Sequence, residues 1–221
     1  MEQGRKTSGY YRDEFGRLAR FYDGGLSLAF VFAGGEGAFR RAVVAAAGIG
    51  AGQRVLDFNC GTGTQAMLVA EMAGTASVTG IDLSPRMIAM AERKARGRPV
   101  EFLVANSEDM PFPDATFDRA MTTLAYHEMN REGRANALRE VWRVLRPGGR
   151  LVIGDLRAPD TLYTRAAMRL LRLFETDTLT DMWQRGIGRE LKESGFDVAG
   201  SEVVGRGFFE IVTAQRPGRE P

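Results

Sequence analysis

The chain has 221 residues, 44% hydrophobic and 26% charged, a composition that sets the expectation of one globular domain with a sizeable core. Its 30 Lys and Arg stand against 28 Asp and Glu, a formal charge of +2, too even to indicate a nucleic-acid-binding surface, so no nucleic-acid partner is expected. Cys60 alone excludes an intramolecular disulfide framework, and no apolar run approaches the ~20 residues of a spanning helix; Met1 to Gly9 lacks a signal peptide's apolar segment, so a cytoplasmic location is expected.

Along the chain, residues 1–52 read as a helical accessory segment. Tyr10, Tyr11, Phe15, Leu18, Phe21 and Tyr22 recur at roughly helical spacing, which suits either a lid over a ligand pocket, with Tyr22 facing the ligand, or an amphipathic helix packing its aromatic stripe on the domain. Gly24-Gly25 and Gly34-Gly35-Glu36-Gly37 flank the apolar Leu26 to Phe32 and would let that segment move. The main domain is expected over 53–216, with a tail at 217–221.

Val55-Leu56 predicts a buried strand ending at Asp57 and followed by Phe58-Asn59-Cys60-Gly61-Thr62-Gly63-Thr64. Gln65 to Met72 opens a helix whose N-terminal N–H groups face that turn, and Ser77 to Ile81 is a second strand ending in Asp82. Val100 to Ala105 and Phe117 to Leu124 read as the third and fourth strands. Arg131 to Leu145 reads as the helix before the fifth, which ends at Arg146 because Pro147-Gly148-Gly149 forbids its continuation. Leu151-Val152-Ile153 begins that fifth strand. Helices are expected over Thr161 to Phe174 and Leu179 to Ser194, then strands over Val198 to Val204 and Phe208 to Ala214. The alternation predicts a parallel sheet with helices on both faces and a ligand at the strands' C-terminal ends.

Two cofactor classes fit the first β-α-β unit. Gly61 to Ala66 matches the dinucleotide fingerprint G-x-G-x-x-A, and Asp82 is placed to accept hydrogen bonds from a ribose. Asp57, four residues before Gly61, discriminates between them: a carboxylate there repels a pyrophosphate and attracts an ammonium group. The turn therefore suits a cationic aminoacyl nucleoside better than NAD.

With Asn106-Ser107-Glu108-Asp109-Met110-Pro111-Phe112-Pro113, Phe117-Asp118 and Arg143-Val144-Leu145-Arg146-Pro147-Gly148-Gly149-Arg150-Leu151, these elements form four ordered motifs. In them the chain resembles the class I S-adenosylmethionine-dependent methyltransferases, most closely the group of the ubiquinone and menaquinone C-methyltransferases, over most of its length. The resemblance implies a Rossmann-like α/β fold with a seven-stranded, mostly parallel sheet and an antiparallel C-terminal edge hairpin. It also implies S-adenosylmethionine as cofactor, with Asp57, Gly61 and Gly63 at its turn, Asp82 on the ribose hydroxyls, Leu83 and Met87 flanking the adenine, and Asn106 and Ser107 at the adenine edge. Asn59 departs from the family pattern D-x-G-C-G-T-G, which has glycine there. Asn tolerates left-handed backbone angles, so the turn is expected to survive with an extra side chain beside the methionine end of the cofactor. Asn106 stands where relatives usually carry aspartate, and its amide oxygen retains an acceptor.

A sulfonium methyl is already a strong electrophile, so the protein's task is to align an acceptor and remove a proton where the acceptor requires it. His127, the only histidine, follows the fourth strand and is the candidate general base, since an unperturbed imidazole is largely neutral at physiological pH; a capping or substrate-shaping role is the alternative. Tyr126 beside it is a candidate acceptor contact. Arg165, Arg169 and Arg172 among apolar residues of Thr164 to Phe174 suit peripheral contact with an anionic membrane, or a helix buried on its own sheet with its arginines in water. No cluster has metal-ligand spacing, and no metal is expected. The expected acceptor is small or lipid-like, a quinone-type ring foremost. A phospholipid or small-amine N-methyltransferase is the enzyme alternative, and a cofactor-binding partner protein without methyl transfer is the alternative of another class. Oligomeric state is not legible in the sequence.

Overall fold

The computed structural model describes residue 30 and residues 33–74, 76–170 and 177–218. Helix α1 (Glu36–Ala47) is followed by β1 (Arg54–Phe58), α2 (Thr64–Ala73), β2 (Ser77–Asp82), α3 (Pro85–Ala95), β3 (Val100–Val104) and β4 (Phe117–Thr123). Then come α4 (Arg131–Val144), β5 (Leu145–Leu156), α5 (Leu162–Leu170), α6 (Asp177–Arg185), α7 (Ile187–Glu193), β6 (Asp197–Val204) and β7 (Phe209–Gln215). The strands form one sheet in the order β3-β2-β1-β4-β5-β7-β6. β1 to β5 are parallel, and β7 runs antiparallel between β5 and β6, which is the edge hairpin the sequence implied. The strand order reverses between β1 and β4, so the crevice at their carboxyl ends is where a ligand of such a sheet sits.

Alternation along the strands divides the core. Val55, Met121 and Val152 join Phe39 and Val43 of α1 and Ala66 and Val69 of α2 on one face; Leu56, Ile81 and Ile153 join Leu138 and Val141 of α4 and Leu191 of α7 on the other. α1 lies so close to β5 that a Cβ on Gly154 would come 2.6 Å from Val43 and 3.0 Å from Phe39. Phe30, Phe39 and Phe209 stack at centroid spacings of 4.5 to 5.9 Å, tying the segment before α1 to β7.

Helix ends follow local chemistry. Ser84 and Asn130 cap α3 and α4 by accepting the N–H of Met87 (3.4 Å) and Gly133 (2.8 Å). The C-terminus of α4 is closed by Arg216, whose Nη1 donates to the carbonyls of Trp142, Arg143 and Leu145 at 3.0, 3.3 and 2.5 Å while its guanidinium stacks on Trp142 at 3.7 Å. α4 stops at Val144, two residues short of the expected Arg146, and Leu145 already pairs with Phe117. The single helix expected over Leu179 to Ser194 is two, because Gly186 takes φ 77° and breaks it. Of the basic stretch 164–174, residues 171–174 lie outside the described residues, as do Tyr10 to Gly25 and with them Tyr22. Among the described residues no helix is long and apolar enough to cross a membrane.

Candidate functional site

The turn after β1 is built from left-handed residues: Asn59 at φ 57°, Gly61 at 54° and Gly63 at 76°. The two glycines serve different ends. A Cβ on Gly63 would lie 2.5 Å from the Phe102 ring and 2.9 Å from Ala91, whereas one on Gly61 would meet nothing within 4 Å and would project into open space over the turn. Asn59 keeps the backbone conformation expected of it. Its side chain reaches away from the turn, with Nδ2 3.4 Å from the Met129 sulfur in the loop after β4.

Asp82 receives the N–H of Gly61 on Oδ2 and of Ser84 on Oδ1, both at 2.9 Å. Burial raises its pKa and these two amides oppose the rise. Each oxygen keeps a second lone pair. Asp57 is buried to 1% exposure on the α1 and α2 face, and neither carboxyl oxygen has a hydrogen-bond partner. Burial pushes its pKa up to about 7, against the pull of the Arg40 charge and the Ala66 amide; Asp82 adds to the rise. Gln65 Oε1 is also buried without a partner, its Nε2 donating to the Arg40 carbonyl at 3.2 Å. Arg40 in turn binds Glu36 at 2.7 Å and Thr123 Oγ1 at 3.1 Å. Arg40 and Gln65 were not legible as site residues, the first lying in the segment read as accessory.

On the expected adenine side, Leu83 is half-buried, whereas Met87, in the first turn of α3, is only 3% exposed, so Leu83 alone of the pair presents a surface. Ser107 is buried. Asn106 Oδ1 already accepts the Glu108 N–H at 3.0 Å, an Asx turn that leaves it one lone pair and a free amide group for a ligand.

The loop after β4 forms a 3₁₀ turn, Tyr126–Glu128. His127, the candidate base, lies on that turn between two carboxyl groups. Its Nδ1 is 2.6 Å from Asp155 Oδ1 and its Nε2 3.1 Å from Glu128 Oε1, so both ring nitrogens face a carboxyl oxygen. Burial lowers the pKa, but Asp155 and Glu128 outweigh it and raise it to about 10. Asp155, at 0% exposure on β5, also accepts the backbone N–H of His127 (3.1 Å) and of Leu156 (2.7 Å). Tyr126, the expected acceptor contact, is fully buried, and its hydroxyl donates to Glu190 Oε2 at 2.7 Å. Glu190 also takes Nε and Nη2 of the buried Arg134, each at 2.9 Å, and Nε of Arg185. Arg134 further binds Asp181 and the Met129 carbonyl, so α4, α6 and α7 clamp the 126–129 loop from behind. One residue past Asp155, a cavity of about 300 Å³ opens between β5, α6 and the start of β7, with Leu156, Met182, Trp183 and Ile187 as its apolar wall and Arg157, Arg165, Asp160 and Glu210 as a charged wall of both signs.

Residues 55–149 match the family model for a methyltransferase domain. An uncharacterized methyltransferase of Synechocystis is 31% identical over 85% of this chain and 87% of its own length. The demethylmenaquinone methyltransferase of Thermus thermophilus is 40% identical over 66% of this chain and 65% of its own, and that of Tropheryma whipplei 35% identical over 78% and 73%. Among solved structures, a SAM-dependent methyltransferase from Aquifex aeolicus superposes with TM-score 0.65 at 23% identity, covering 80% of this chain and 89% of that one.

Proposed function

The chain belongs to the class I S-adenosylmethionine-dependent methyltransferases, and from that premise we propose that it methylates a small apolar acceptor, foremost a ring carbon of a quinone-type aromatic. The residues present fit the cofactor. Asp57 is the observation that carries this: a buried carboxyl without a partner, poised near neutrality beneath an open glycine turn, is completed by a cationic ligand and would be a liability without one. Asp57 would hold the cationic end of S-adenosylmethionine, Asp82 the ribose hydroxyls, Leu83 and the Asn106-Ser107 turn the base, and Gly61 would admit the ligand close to the backbone. When bound there, the cofactor supplies an electrophilic methyl group.

What remains for the chain is to orient the acceptor and exclude water. The Tyr126–Glu128 turn, anchored through Asp155 and clamped by Arg134 and Glu190, offers His127 as a rigid polar group at the carboxyl end of β4, next to the switch point. The apolar wall of the cavity beyond Asp155 suits the acceptor's hydrophobic body. The printed activities of the Thermus and Tropheryma relatives support a quinone-type ring. The deciding experiment incubates the protein with labelled S-adenosylmethionine and demethylmenaquinol and identifies the methylated atom by mass spectrometry and NMR. Label on a ring carbon carries the reading; label only on oxygen or nitrogen of other acceptors replaces it.

A further inference from the structure

His127 lies between two carboxyl groups of unlike mobility. Asp155 is fully buried and spends both oxygens on this turn, Oδ1 on His127 Nδ1 and the Leu156 N–H, Oδ2 on the His127 N–H. Nδ1 must therefore carry a proton. The opposite nitrogen, Nε2, is 3.1 Å from Glu128 Oε1, a contact that is favourable only when Nε2 carries one too. The geometry thus describes an imidazolium, and the direction of the pKa agrees with it. The side chain of Glu128 is 30% exposed, that of His127 13% and that of Asp155 0%. One anion is built in, and the other can turn out to water.

We propose that the acceptor takes the place of Glu128 and binds as an oxyanion on His127 Nε2, so that this site selects acceptors carrying an acidic hydroxyl or enol, with Asp155 as the positioning residue that keeps the imidazolium charged and aimed. The exchange preserves charge: a carboxylate leaves the cation and a phenolate or enolate arrives, its proton passing to Glu128 or to water. A cation beside the ligand oxygen favours its ionised form over the neutral one. An ionised ring oxygen in turn pushes electron density to its ortho and para carbons, so that such a carbon would take the methyl from the sulfonium, leaving the neutral thioether, and would then give up its own ring proton to water as aromaticity returns. Other charged groups lie behind the turn or line the cavity beyond Asp155, where Arg165, Asp160 and Glu210 join Arg157. Glu190 and Arg134 are paired with each other behind Tyr126, and Arg157 on the cavity rim is bound to Asp160 at 2.8 Å. The inference rests on the aromatic-acceptor reading above.

The test uses 4-nitrophenol, whose anion is coloured, and its ether 4-nitroanisole, with the protein saturated in S-adenosylhomocysteine. The nitrophenol titration midpoint should fall by at least one pH unit on binding, a tenfold or greater preference for the anion. The ether should bind at least tenfold more weakly, and His127→Gln should abolish the shift while S-adenosylhomocysteine affinity changes less than twofold. Because His127 is the only histidine, its ring nitrogen signals are unambiguous in a ¹⁵N NMR titration. They should remain those of an imidazolium up to about pH 8.5 and become titratable near the ordinary histidine range, about 6.5, in Asp155→Asn, which a merely structural role for Asp155 would not produce. An unmoved nitrophenol midpoint, whether from binding as the neutral phenol or from no binding, overturns the proposal, as does a wild-type His127 that titrates near 6.5. Ring methylation of demethylmenaquinol with an unmoved midpoint would leave the proposed function standing and remove this inference alone.

Discussion

The two glycines of the β1 turn make a paired test of what each is for. In Gly63→Ala, a residue other than glycine at φ 76° costs roughly 1–2 kcal/mol of backbone strain. The new methyl also starts 2.5 Å from the Phe102 ring and 2.9 Å from Ala91, both packed in the core, so overpacking adds about 1–3 kcal/mol. Gly61→Ala carries only the first cost, since nothing lies within 4 Å of its Cβ. For a chain of this length each kcal/mol moves the melting temperature by about 2–4 °C. Thermal melts followed by circular dichroism should therefore show Gly63→Ala falling about twice as far as Gly61→Ala or further, out of a total stability of about 5–15 kcal/mol. Calorimetric titration with S-adenosylhomocysteine should reverse the ranking of interest: Gly61→Ala, well folded, should bind at least tenfold more weakly, about 1.4 kcal/mol or more, because its methyl fills the space through which the ligand reaches the backbone. Wild-type affinity in Gly61→Ala would refute the assignment of that space to the cofactor. Wild-type stability in Gly63→Ala would refute the claim that packing against Phe102 and Ala91 fixes that glycine.

Asp57, with a folded-state pKa of about 7 against an ordinary 3.8, keeps a proton that the unfolded chain releases, so it takes stability away as pH rises from 4 to 7; in urea titrations the advantage of Asp57→Asn over wild type should grow across that window by on the order of 4 kcal/mol. Saturating S-adenosylmethionine should shrink that difference by ionising the carboxyl in place. Arg216→Ala uncovers three carbonyls at the end of α4 and loses the Trp142 stack, a cost of roughly 2–4 kcal/mol by urea unfolding, which Arg216→Lys should recover only in part because an ammonium has no planar face to stack on Trp142. Asn130→Ala, which deprives α4 of its N-cap, should cost about 1 kcal/mol in the same assay.

The inner strands β1 and β2 were legible because they are buried on both faces and bounded by turn residues, and the motifs expected to hold the cofactor because their residues are close in sequence. What escaped was pairing across distance. Asp155 meets His127 only because β4 and β5 run parallel with Thr123 beside Gly154, a register no spacing reveals, and without that register an imidazole next to a strand end reads as a neutral base. Tyr126 illustrates the same limit: adjacent to His127 in sequence, it points the other way, into Glu190. Arg40 belongs to the cofactor floor through Thr123 and the Gln65 side chain, both beyond the boundary drawn at residue 52. The Gly186 break was written in the sequence as a glycine inside a helical pattern, whose left-handed φ the periodicity alone does not fix.

β7 follows the other six strands of the sheet in sequence yet lies inside it, between β5 and β6. During synthesis β5 therefore has a bare edge, with Leu151, Val152 and Ile153 ready to pair with any passing strand, until residues 209–215 arrive. The same event bears on the chemistry. Asp155 lies opposite Glu210 in that pairing, so the strand that anchors the His127 turn is flanked on both sides only once β7 is in place, whereas the cofactor turn draws on β1, β2 and β4. A nascent or C-terminally clipped chain would then be a cofactor binder first and a methyltransferase only after closure.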